Sequence, residues 1–370
     1  MAAPVDPELM RRALRLAEQG WGRVHPNPLV GALIVADDGH VIAEGWHARY
    51  GGPHAEAVAL AAAGTAARGA TLYVTLEPCR HQGKTPPCTD AILSAGVRRV
   101  VFAAHDPDRT AAGGATVLRA AGIVVTGGVL EAEARSQNAS FFHWHERQTP
   151  YVALKLALSL DGAIGVKDAP RVLVTGEAAR TEANRLRAGF DAILVGIGTV
   201  LSDDPQLTVR DHAVRVPPLR VVLDSDARLP LESRLLEDGA GRVIVCCAPD
   251  ADPARVAALR ERGARVEPVP RAAVGLAIEP MLEHLRDTGV RSVFCEGGVQ
   301  VARALLAADR VERQYLFIAA RRLGPGGLRP LESVPETSPG AWHVASAQRV
   351  GADALLVIER DRSGNVHGHR

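Results

Sequence analysis

Short apolar runs alternate with amphipathic stretches along the whole chain, and this alternation predicts strands and helices in turn. In the first 147 residues the apolar runs are four to eight residues long, and the stretches between them have helical periodicity. The predicted strands cover 29–36, 41–46, 70–76, 98–104 and 123–127, and the predicted helices cover 7–19, 54–63, 88–95, 114–121 and 130–147. This order is typical of a sheet covered by helices.

The second half shows the same alternation after a break at Gln148-Thr149-Pro150. The predicted strands cover 151–162, 191–195, 219–224, 242–247, 264–269, 290–295, 312–319, 342–348 and 354–360, and the predicted helices cover 177–188, 252–262, 277–288 and 299–307. The Gly/Pro-rich stretch 324–340 is predicted to be a loop. Because 370 residues exceed the size at which one core keeps growing, we expect two α/β domains, 1–147 and 150–370.

Composition and charge place the chain among ordinary soluble globular proteins. Hydrophobic residues make up 47 % and charged residues 23 %, and the net charge of +1 provides no overall field that favours nucleic acid or an anionic membrane. No apolar run approaches 18 residues, and the N-terminus has no signal-peptide pattern. Five cysteines do not form a disulfide framework, so we expect a cytoplasmic protein. The sequence does not determine the assembly state and is compatible with a homo-oligomer.

The strongest chemical signal lies between His54 and Cys88. His54, Cys79 and Cys88 supply three ligands of the kind a catalytic zinc ion uses. Glu56, two residues after the histidine, can shuttle protons, and an H-x-E followed by P-C is the pattern of zinc deaminases. The alternatives are ordinary core residues or a non-enzymatic zinc scaffold. Glu56 argues against the scaffold, because a structural site does not need it.

A second metal site at His143 and His145 is not expected. Their i,i+2 spacing places the two imidazoles on different faces of the predicted helix. A packing or polar-surface role is the better interpretation for both histidines.

The spacing of the two cysteines departs from the commonest deaminase pattern, which has two intervening residues. Here eight residues, 80–87 (RHQGKTPP), separate them. With Thr75-Leu76-Glu77-Pro78-Cys79, His25-Pro26-Asn27-Pro28-Leu29-Val30-Gly31 and Gly45-Trp46-His47, this insert resembles the deaminase half of the bifunctional riboflavin-biosynthesis deaminase/reductase family. Asp106-Pro107 is also similar, although Asp108-Arg109 stands where the family usually has Asn-Pro.

This resemblance implies a cytidine-deaminase-like three-layer α/β/α domain that binds one Zn²⁺ through His54, Cys79 and Cys88, with Glu56 catalytic. It implies a pyrimidine ribosyl phosphate as the small-molecule substrate, and no nucleic-acid or membrane partner. Candidates for holding the ring and the phosphate are Asn27, His47, His81, Lys84 and Asp106.

Two glycine turns in the second half are candidate phosphate sites. Gly196-Ile197-Gly198 follows a predicted strand but lacks the rest of a dinucleotide-binding fingerprint, so a tight turn is the usual interpretation. Glu296-Gly297-Gly298 lies between a strand and a helix, where backbone N–H groups can approach a phosphate. A plain glycine turn remains the alternative.

The motifs Lys155-x-Ala157-x-Ser159-Leu160-Asp161-Gly162 and 194–210 (LVGIGTVLSDDPQLTVR) are similar to the reductase half of the same family. The resemblance implies a dihydrofolate-reductase-like α/β fold that binds NADPH. Implied cofactor contacts are Ala157, Leu173, Thr199, Asp203, Gly298, Val299, Gln300, Val301, Ala302, Arg303 and Ala304. Implied substrate contacts are Arg171, Arg187, Leu207, Arg210 and Glu296. Arg171 and Leu173 stand where the family usually has Ser and Trp.

The expected activity is therefore twofold. The N-terminal half would hydrolyse the 2-amino group of a diaminopyrimidinone ribosyl phosphate, and the C-terminal half would reduce the ribosyl unit to ribityl with NADPH. Lys155 and Glu296 are the catalytic candidates for polarising and protonating the ribosyl group. The alternatives are a deaminase with an impaired reductase half and a nucleic-acid base deaminase with an accessory domain. The cysteine insert and the balanced charge argue against the latter.

Overall fold

A computed structural model describes residues 5–167, 172–237, 242–332 and 341–361. The chain divides into two compact units. Unit 1 comprises Met1–Gln148 with Ala213–Arg215, and unit 2 comprises Thr149–His212 with Val216–Arg370. Arg171 and residues 333–340 of the predicted loop lie outside the described residues.

Unit 1 is built on a five-stranded sheet. Its strands are β1 (Gly31–Val35), β2 (Val41–Trp46), β3 (Thr71–Leu76), β4 (Arg99–Ala104) and β5 (Val124–Thr126). Its helices are α1 (Pro7–Ala17), α2 (Ala55–Ala63), α3 (Cys88–Ala95), α4 (Gly114–Ala120), α5 (Glu131–Gln137) and α6 (Ala139–Arg147). The strand order is β2-β1-β3-β4-β5, with β1 antiparallel to both neighbours and β3, β4 and β5 parallel.

Alternation of side chains along the buried strands makes unit 1 a three-layer structure. Leu72 and Val74 of β3 face a core that also contains Leu60 of α2 and Ile92 of α3. Tyr73, between them in sequence, faces the opposite core with α1 and α6. Because successive strand residues point to opposite faces, one apolar run serves both cores.

Unit 2 contains a larger mixed sheet. Its strands are β6 (Tyr151–Ser159), β7 (Ala192–Gly196), β8 (Leu219–Leu223), β9 (Val243–Cys247), β10 (Arg265–Pro268), β11 (Ser292–Cys295), β12 (Arg313–Ala319), β13 (Trp342–Val350) and β14 (Asp353–Arg360). Its helices are α7 (Glu177–Arg187), α8 (Ile197–Asp203), α9 (Pro253–Glu261), α10 (Ile278–Asp287) and α11 (Val299–Ala307).

The order of the nine strands is β10-β9-β8-β7-β11-β6-β12-β14-β13. All neighbours are parallel except at β14, which is antiparallel to β12 and β13. Leu194 of β7 faces the core under α10 and α11, and Ile193 and Val195 face the core under α8 and α9. Strands β7 and β11 lie near the centre of the sheet and are buried along their whole length.

The structure differs from the predicted elements at three places. The single helix predicted over 130–147 is two helices, because the backbone of Asn138 (φ −109°, ψ 28°) leaves helical geometry between them. The Asn138 side chain donates to Leu29 O (2.9 Å) and accepts from Leu29 N (2.7 Å). The turn expected at Gly196-Ile197-Gly198 begins helix α8, whose apolar residues face the core. Strand β6 ends at Ser159, three residues before the predicted end, because the chain turns there: Gly162, with a positive φ of 76°, donates its N–H to Ser159 O (2.9 Å).

None of the helices in the described ranges combines the length and the apolar character that crossing a bilayer requires.

Candidate active sites

The three predicted metal ligands converge in unit 1, although they come from separate elements. His54 immediately precedes α2, Cys79 follows β3, and Cys88 is the first residue of α3. His54 Nδ1 lies 3.2 Å from Cys88 Sγ and 3.6 Å from Cys79 Sγ, and all three ligand atoms lie within 4.8 Å of one another. Within the described residues, this is the one group of His, Cys, Asp or Glu side chains close enough to hold a metal ion.

The protonation of the cluster fits a zinc ion. A hydrogen bond from the Cys88 thiol, opposed by burial and reinforced by His54, lowers the pKa of Cys79 to about 4. The proton shared with Cys79, together with burial, raises the pKa of Cys88. The Cys88 backbone N–H also donates to Cys79 Sγ (3.4 Å). Zinc binds such groups by displacing their protons, and three protein ligands is the number typical of a catalytic zinc site.

Thr85 orients the His54 ring. Its Oγ1 lies 3.2 Å from His54 Nε2, which leaves Nδ1 facing the two sulfurs. Hydrogen bonds of this kind fix the ring of a metal-ligating histidine and increase metal affinity. Sequence reasoning missed this role, although Thr85 belongs to the insert 80–87, which runs between two ligands and has to stay close to the site.

Glu56 is placed for proton transfer beside the cluster. It is the second residue of α2, and only 4 % of its surface is exposed. Burial raises the pKa of Glu56 above its usual value. A carboxyl group whose pKa moves towards neutrality can accept a proton and return it.

A cavity of about 270 Å³ opens over the cluster. All five residues predicted to hold substrate line it, together with His54, Glu56 and Cys79; the five are Asn27, His47, His81, Lys84 and Asp106. The cavity is also lined by residues that sequence reasoning did not single out: Tyr50, Glu77, Thr85, Asp108 and Phe141.

His47 is held in its neutral form. Its Nδ1 donates to Pro53 O (2.9 Å), so its Nε2 accepts from Asn27 Nδ2 (3.2 Å). Burial, partly offset by the bond to Pro53, lowers the pKa of His47. The bond between Asn27 Nδ2 and His47 Nε2 fixes the direction of the Asn27 amide in the cavity.

Charged groups at the cavity differ in their environment. Lys84 Nζ lies 4.1 Å from the centre of the Tyr50 ring, a cation–π contact that holds the ammonium group at the cavity. Burial raises the pKa of Asp106 to about 7. Glu77 accepts from the backbone N–H of Ala115 (2.9 Å) at the start of α4, so it ties β3 to that helix.

Unit 2 contains a second cavity of about 840 Å³. Most of the cofactor and catalytic residues predicted there line it: Lys155, Ala157, Leu173, Thr199, Asp203, Glu296, Gly298, Val299, Gln300 and Val301. Thr175, Arg180 and Ser202 line it as well, without having been predicted.

A buried ion triad lies at this cavity. Glu296 Oε1 accepts from Arg187 Nε (2.5 Å), and Glu296 Oε2 lies 3.7 Å from Lys155 Nζ. The three side chains are between 11 % and 19 % exposed. Burial raises the pKa of Glu296, but the charges of Arg187 and Lys155 outweigh it and hold the pKa below its usual value. Glu296 is therefore a carboxylate at neutral pH, flanked by two cations.

Several predicted contacts lie outside the lining of this cavity. They are Arg187, Leu207, Arg210, Ala302, Arg303 and Ala304. The Arg187 guanidinium donates to the Glu296 carboxylate and to Thr208 O (2.9 Å). Arg303 donates to Arg329 O (2.8 Å). Leu207 is buried in the core. The roles of these residues stay predictions.

Of the two glycines in the turn before α11, Gly297 is packed against the helix and Gly298 faces the cavity. A Cβ atom on Gly297 would lie 2.7 Å from Val301 Cβ, so that position requires glycine for packing. A Cβ on Gly298 would meet only Thr199 Oγ1, at 3.7 Å, and Gly298 lines the cavity. The turn thus offers helix N-terminal N–H groups to a phosphate, and its residues fit a nucleotide cofactor.

Unit 1 thus has the donor set of a zinc-dependent deaminase, and unit 2 has the cavity of a nucleotide-dependent reductase. Family matches agree with both. Residues 4–104 match the cytidine and deoxycytidylate deaminase zinc-binding region, and residues 150–356 match the RibD C-terminal domain. The chain belongs to the RibD family of riboflavin biosynthesis proteins.

Individual relatives match over nearly their full length. Riboflavin biosynthesis protein RibD of Aquifex aeolicus is 38 % identical, covering 97 % of this chain and 100 % of the relative. The Escherichia coli protein of the same name is also 38 % identical, covering 95 % and 98 %. The solved structure of Acinetobacter baumannii RibD (form 1) has 33 % identity and a TM-score of 0.80, covering 96 % and 99 %.

A Thermotoga maritima deaminase/reductase has 36 % identity and a TM-score of 0.79, covering 96 % and 98 %. The family and the two-part α/β fold expected from the sequence motifs are confirmed, as are the zinc and NADPH dependence.

Proposed function

We propose that the chain catalyses two successive steps of riboflavin biosynthesis. The first is hydrolytic deamination of 2,5-diamino-6-(5-phosphoribosylamino)pyrimidin-4-one. The second is reduction of the ribosyl side chain of 5-amino-6-(5-phosphoribosylamino)uracil to ribityl. The observation that carries the proposal is that His54, Cys79 and Cys88 converge beside the buried Glu56, and that His54, Cys79 and Glu56 line one cavity.

In the deaminase step, Glu56 would move the protons. His54, Cys79 and Cys88 would hold the zinc ion, which would supply a water of lowered pKa. Glu56 accepts a proton from the attacking water and returns it to the departing amine, which leaves as ammonia. The Asn27 amide, oriented by His47, would form a hydrogen bond with the edge of the pyrimidine ring. Lys84, His81 and Asp106 would hold the remaining ring atoms and the phosphate.

In the reductase step, Lys155 would donate the proton. NADPH, when bound, supplies the hydride. The Lys155 ammonium polarises the ribosyl oxygen and protonates it as the carbon is reduced. Glu296 is held ionised by Arg187 and Lys155, so its role is to position the Lys155 ammonium and not to act as the acid. This narrows the prediction that both residues protonate the ribosyl group.

The cofactor would lie along the residues that combine prediction with cavity lining. These are Ala157, Leu173, Thr199, Asp203 and the α11 turn from Gly298 to Val301. Arg187 and Arg210 remain candidates for the ribosyl phosphate, and Leu207 for a substrate contact. None of the three lines the described cavity.

Product analysis tests both steps at once. The purified chain is incubated with the diaminopyrimidine substrate with and without NADPH, and each product is identified by mass. We expect ammonia and the uracil intermediate without NADPH, and the ribityl product with it. Formation of the uracil product alone, at saturating NADPH, would leave the chain a deaminase only.

We also propose that residues 1–147 form the deaminase domain and 150–370 the reductase domain. Each has its own sheet and cores, which supports independent folding. A fragment of residues 150–370 should reduce the uracil intermediate without zinc. An insoluble or inert fragment, from a full chain that is active, would contradict the division.

Assembly and compartment are proposed on separate grounds. Strand β13 is at the edge of its sheet and exposed along seven of its nine residues, which supports a homo-oligomer formed through this edge. All five cysteines are free, which supports a reducing, cytoplasmic location. Light scattering and cell fractionation test these two proposals.

A further inference from the structure

Two loops of unit 2 form one wall of its cavity. The first loop, residues 160–167, follows β6 and contributes residues 164–166 to the cavity lining. The second loop, residues 320–332, follows β12 and contributes Leu328. We call residues 164–166 with Leu328 the cavity wall. Its side chains are apolar, so it can offer a bound ligand van der Waals contact but no charge.

Backbone hydrogen bonds join the two loops into one piece. Ile164 N donates to Leu328 O (2.9 Å), and Leu328 N donates to Gly165 O (2.8 Å). Farther along, Lys167 N donates to Gly326 O (3.0 Å). The position of the cavity wall therefore depends on both loops keeping their register.

Asp161 fixes that register from behind the wall. Its Oδ1 accepts from Ser159 Oγ (2.7 Å) and from Leu323 N (3.0 Å). Its Oδ2 accepts from Gly324 N (2.9 Å) and from Arg329 Nη2 (3.0 Å). These bonds, those from Ser159 and Leu323 first, hold the pKa of Asp161 well below its usual range. One carboxylate thus takes four donors, three of them from the second loop.

Arg329 completes the connection with the rest of its guanidinium. Its Nε donates to the backbone carbonyl of Asp161 (2.9 Å). Its Nη2 also donates to Gly324 O (3.1 Å), and its Nη1 donates to Gly327 O (3.2 Å). A planar fork with fixed donor directions suits this set of acceptors, and lysine could satisfy only part of it.

We infer that Asp161 and Arg329 form a positioning pair that sets the cavity wall for the ligands of the reductase cavity. The inference rests on the proposed reductase function. Asp161 lies in the Lys155–Gly162 motif, where neither the sequence nor the proposed mechanism gives it a role. Lys155 and Glu296 lie outside both loops, on β6 and directly after β11. Loosening the wall should therefore weaken binding of the ground state and the transition state alike, which raises KM and leaves kcat unchanged.

The test is Asp161→Asn in the full chain. The amide Nδ2 has to face backbone N–H donors or Arg329, so at least one bond of the set is replaced by repulsion. We expect KM for NADPH to rise about tenfold, because the wall is no longer preorganised, with kcat at saturation within about twofold of wild type. Deaminase turnover of the same preparation should not change.

Arg329→Lys is the second variant, since it keeps the charge and loses the fork. We expect Arg329→Lys to raise KM for NADPH by less than Asp161→Asn does. If Asp161→Asn does not fold, Arg329→Lys is compared with wild type in its place. Asp287→Asn is the matched control, because the Asp287 carboxylate is 66 % exposed and pairs with its neighbour Arg286. Calorimetric titration with NADPH provides a binding readout that does not depend on turnover.

Unchanged KM and NADPH affinity in both variants would overturn the inference, and so would a loss of kcat with KM unchanged. A wild-type chain that binds NADPH but turns nothing over would contradict the proposed reaction. The calorimetric comparison of the variants would still decide the role of the positioning pair.

Discussion

Replacing Arg187 by Met removes one cation from the buried ion triad. Arg187 Nε donates to Glu296 Oε1 (2.5 Å), and its Nη1 donates to Thr208 O (2.9 Å). The Arg187 and Glu296 side chains are 15 % and 11 % exposed, so little solvent screens the pair. The substitution leaves Glu296 charged and buried, with Lys155 at 3.7 Å as its remaining cation.

Breaking a buried ion pair by removing one partner costs about 3–5 kcal/mol. Because Lys155 still compensates part of the Glu296 charge, we expect the lower end, about 3 kcal/mol. At roughly 2–4 °C per kcal/mol for a domain of this size, the unfolding midpoint of unit 2 should fall by about 6–12 °C.

The pH dependence has a defined direction. A lowered carboxyl pKa stabilises the folded state above the unfolded value of about 4.3, and this stabilisation is lost as pH falls through the folded pKa. Arg187→Met raises the pKa of Glu296 and shrinks that contribution. The stability difference between wild type and variant should therefore be full at neutral pH and should narrow in acid.

Differential scanning calorimetry of the full chain measures this effect. The transition of unit 2 is identified as the one whose midpoint temperature rises when NADPH is added. Arg185→Met is the matched control, because Arg185 lies on the same helix, is 38 % exposed and pairs with Glu182 at i,i+3. A pair of that kind contributes about 0.3–0.5 kcal/mol. If Arg187→Met lowers the midpoint no more than Arg185→Met does, the buried triad does not stabilise unit 2 and the reasoning fails.

Three further substitutions test the two sites. Glu56→Gln should retain stoichiometric zinc and lose ammonia release by at least ~10²-fold, since general acid–base catalysis contributes ~10²–10⁴-fold; metal analysis that shows an empty site would refute the proton-transfer role. Thr85→Val should lower zinc affinity by about 10–100-fold, measured by competition with a chelator, because His54 loses its outer hydrogen bond; unchanged affinity would mean the ring needs no such support. Leu173→Trp should bind NADPH roughly three- to tenfold more tightly, since aromatic pairing adds ~0.5–1.5 kcal/mol beyond burial. Leu173 is 52 % exposed at the cavity, so a larger ring has room, and weaker binding would place the cofactor elsewhere.

Local patterns were sufficient for much of the fold. The buried strands have continuous apolar runs, and the helices between them begin and end within a few residues of the predicted bounds. The metal ligands could be identified because H-x-E and P-C are short motifs. In the structure His54 and Cys88 lie at the starts of two helices, and Cys79 follows a strand. Each of these positions follows from short-range chemistry that a few neighbouring residues express.

Contacts between residues distant in sequence could not be predicted in the same way. The partner of Arg187 is 109 residues away, and the partner of Asp161 is 168 residues away. From the sequence, Arg187 is only an implied substrate contact, because a guanidinium suits a sugar phosphate as well as a carboxylate, and the pairing with Glu296 could not be foreseen. Only the parallel pairing of β7 and β11 brings the element before β7 to the residue that follows β11.

The sequence by itself thus singled out the candidate residues for the chemistry, because metal ligands, a proton-transfer carboxylate and glycine turns have local signatures. The tertiary structure decided how those residues are held: His47 against Asn27, Thr85 against His54, and Glu296 between two cations. The physical reason is that a hydrogen bond or ion pair depends on distances of a few ångströms between side chains. Those distances are set by the order of strands in the sheet and by loop packing, which no local pattern along the chain encodes.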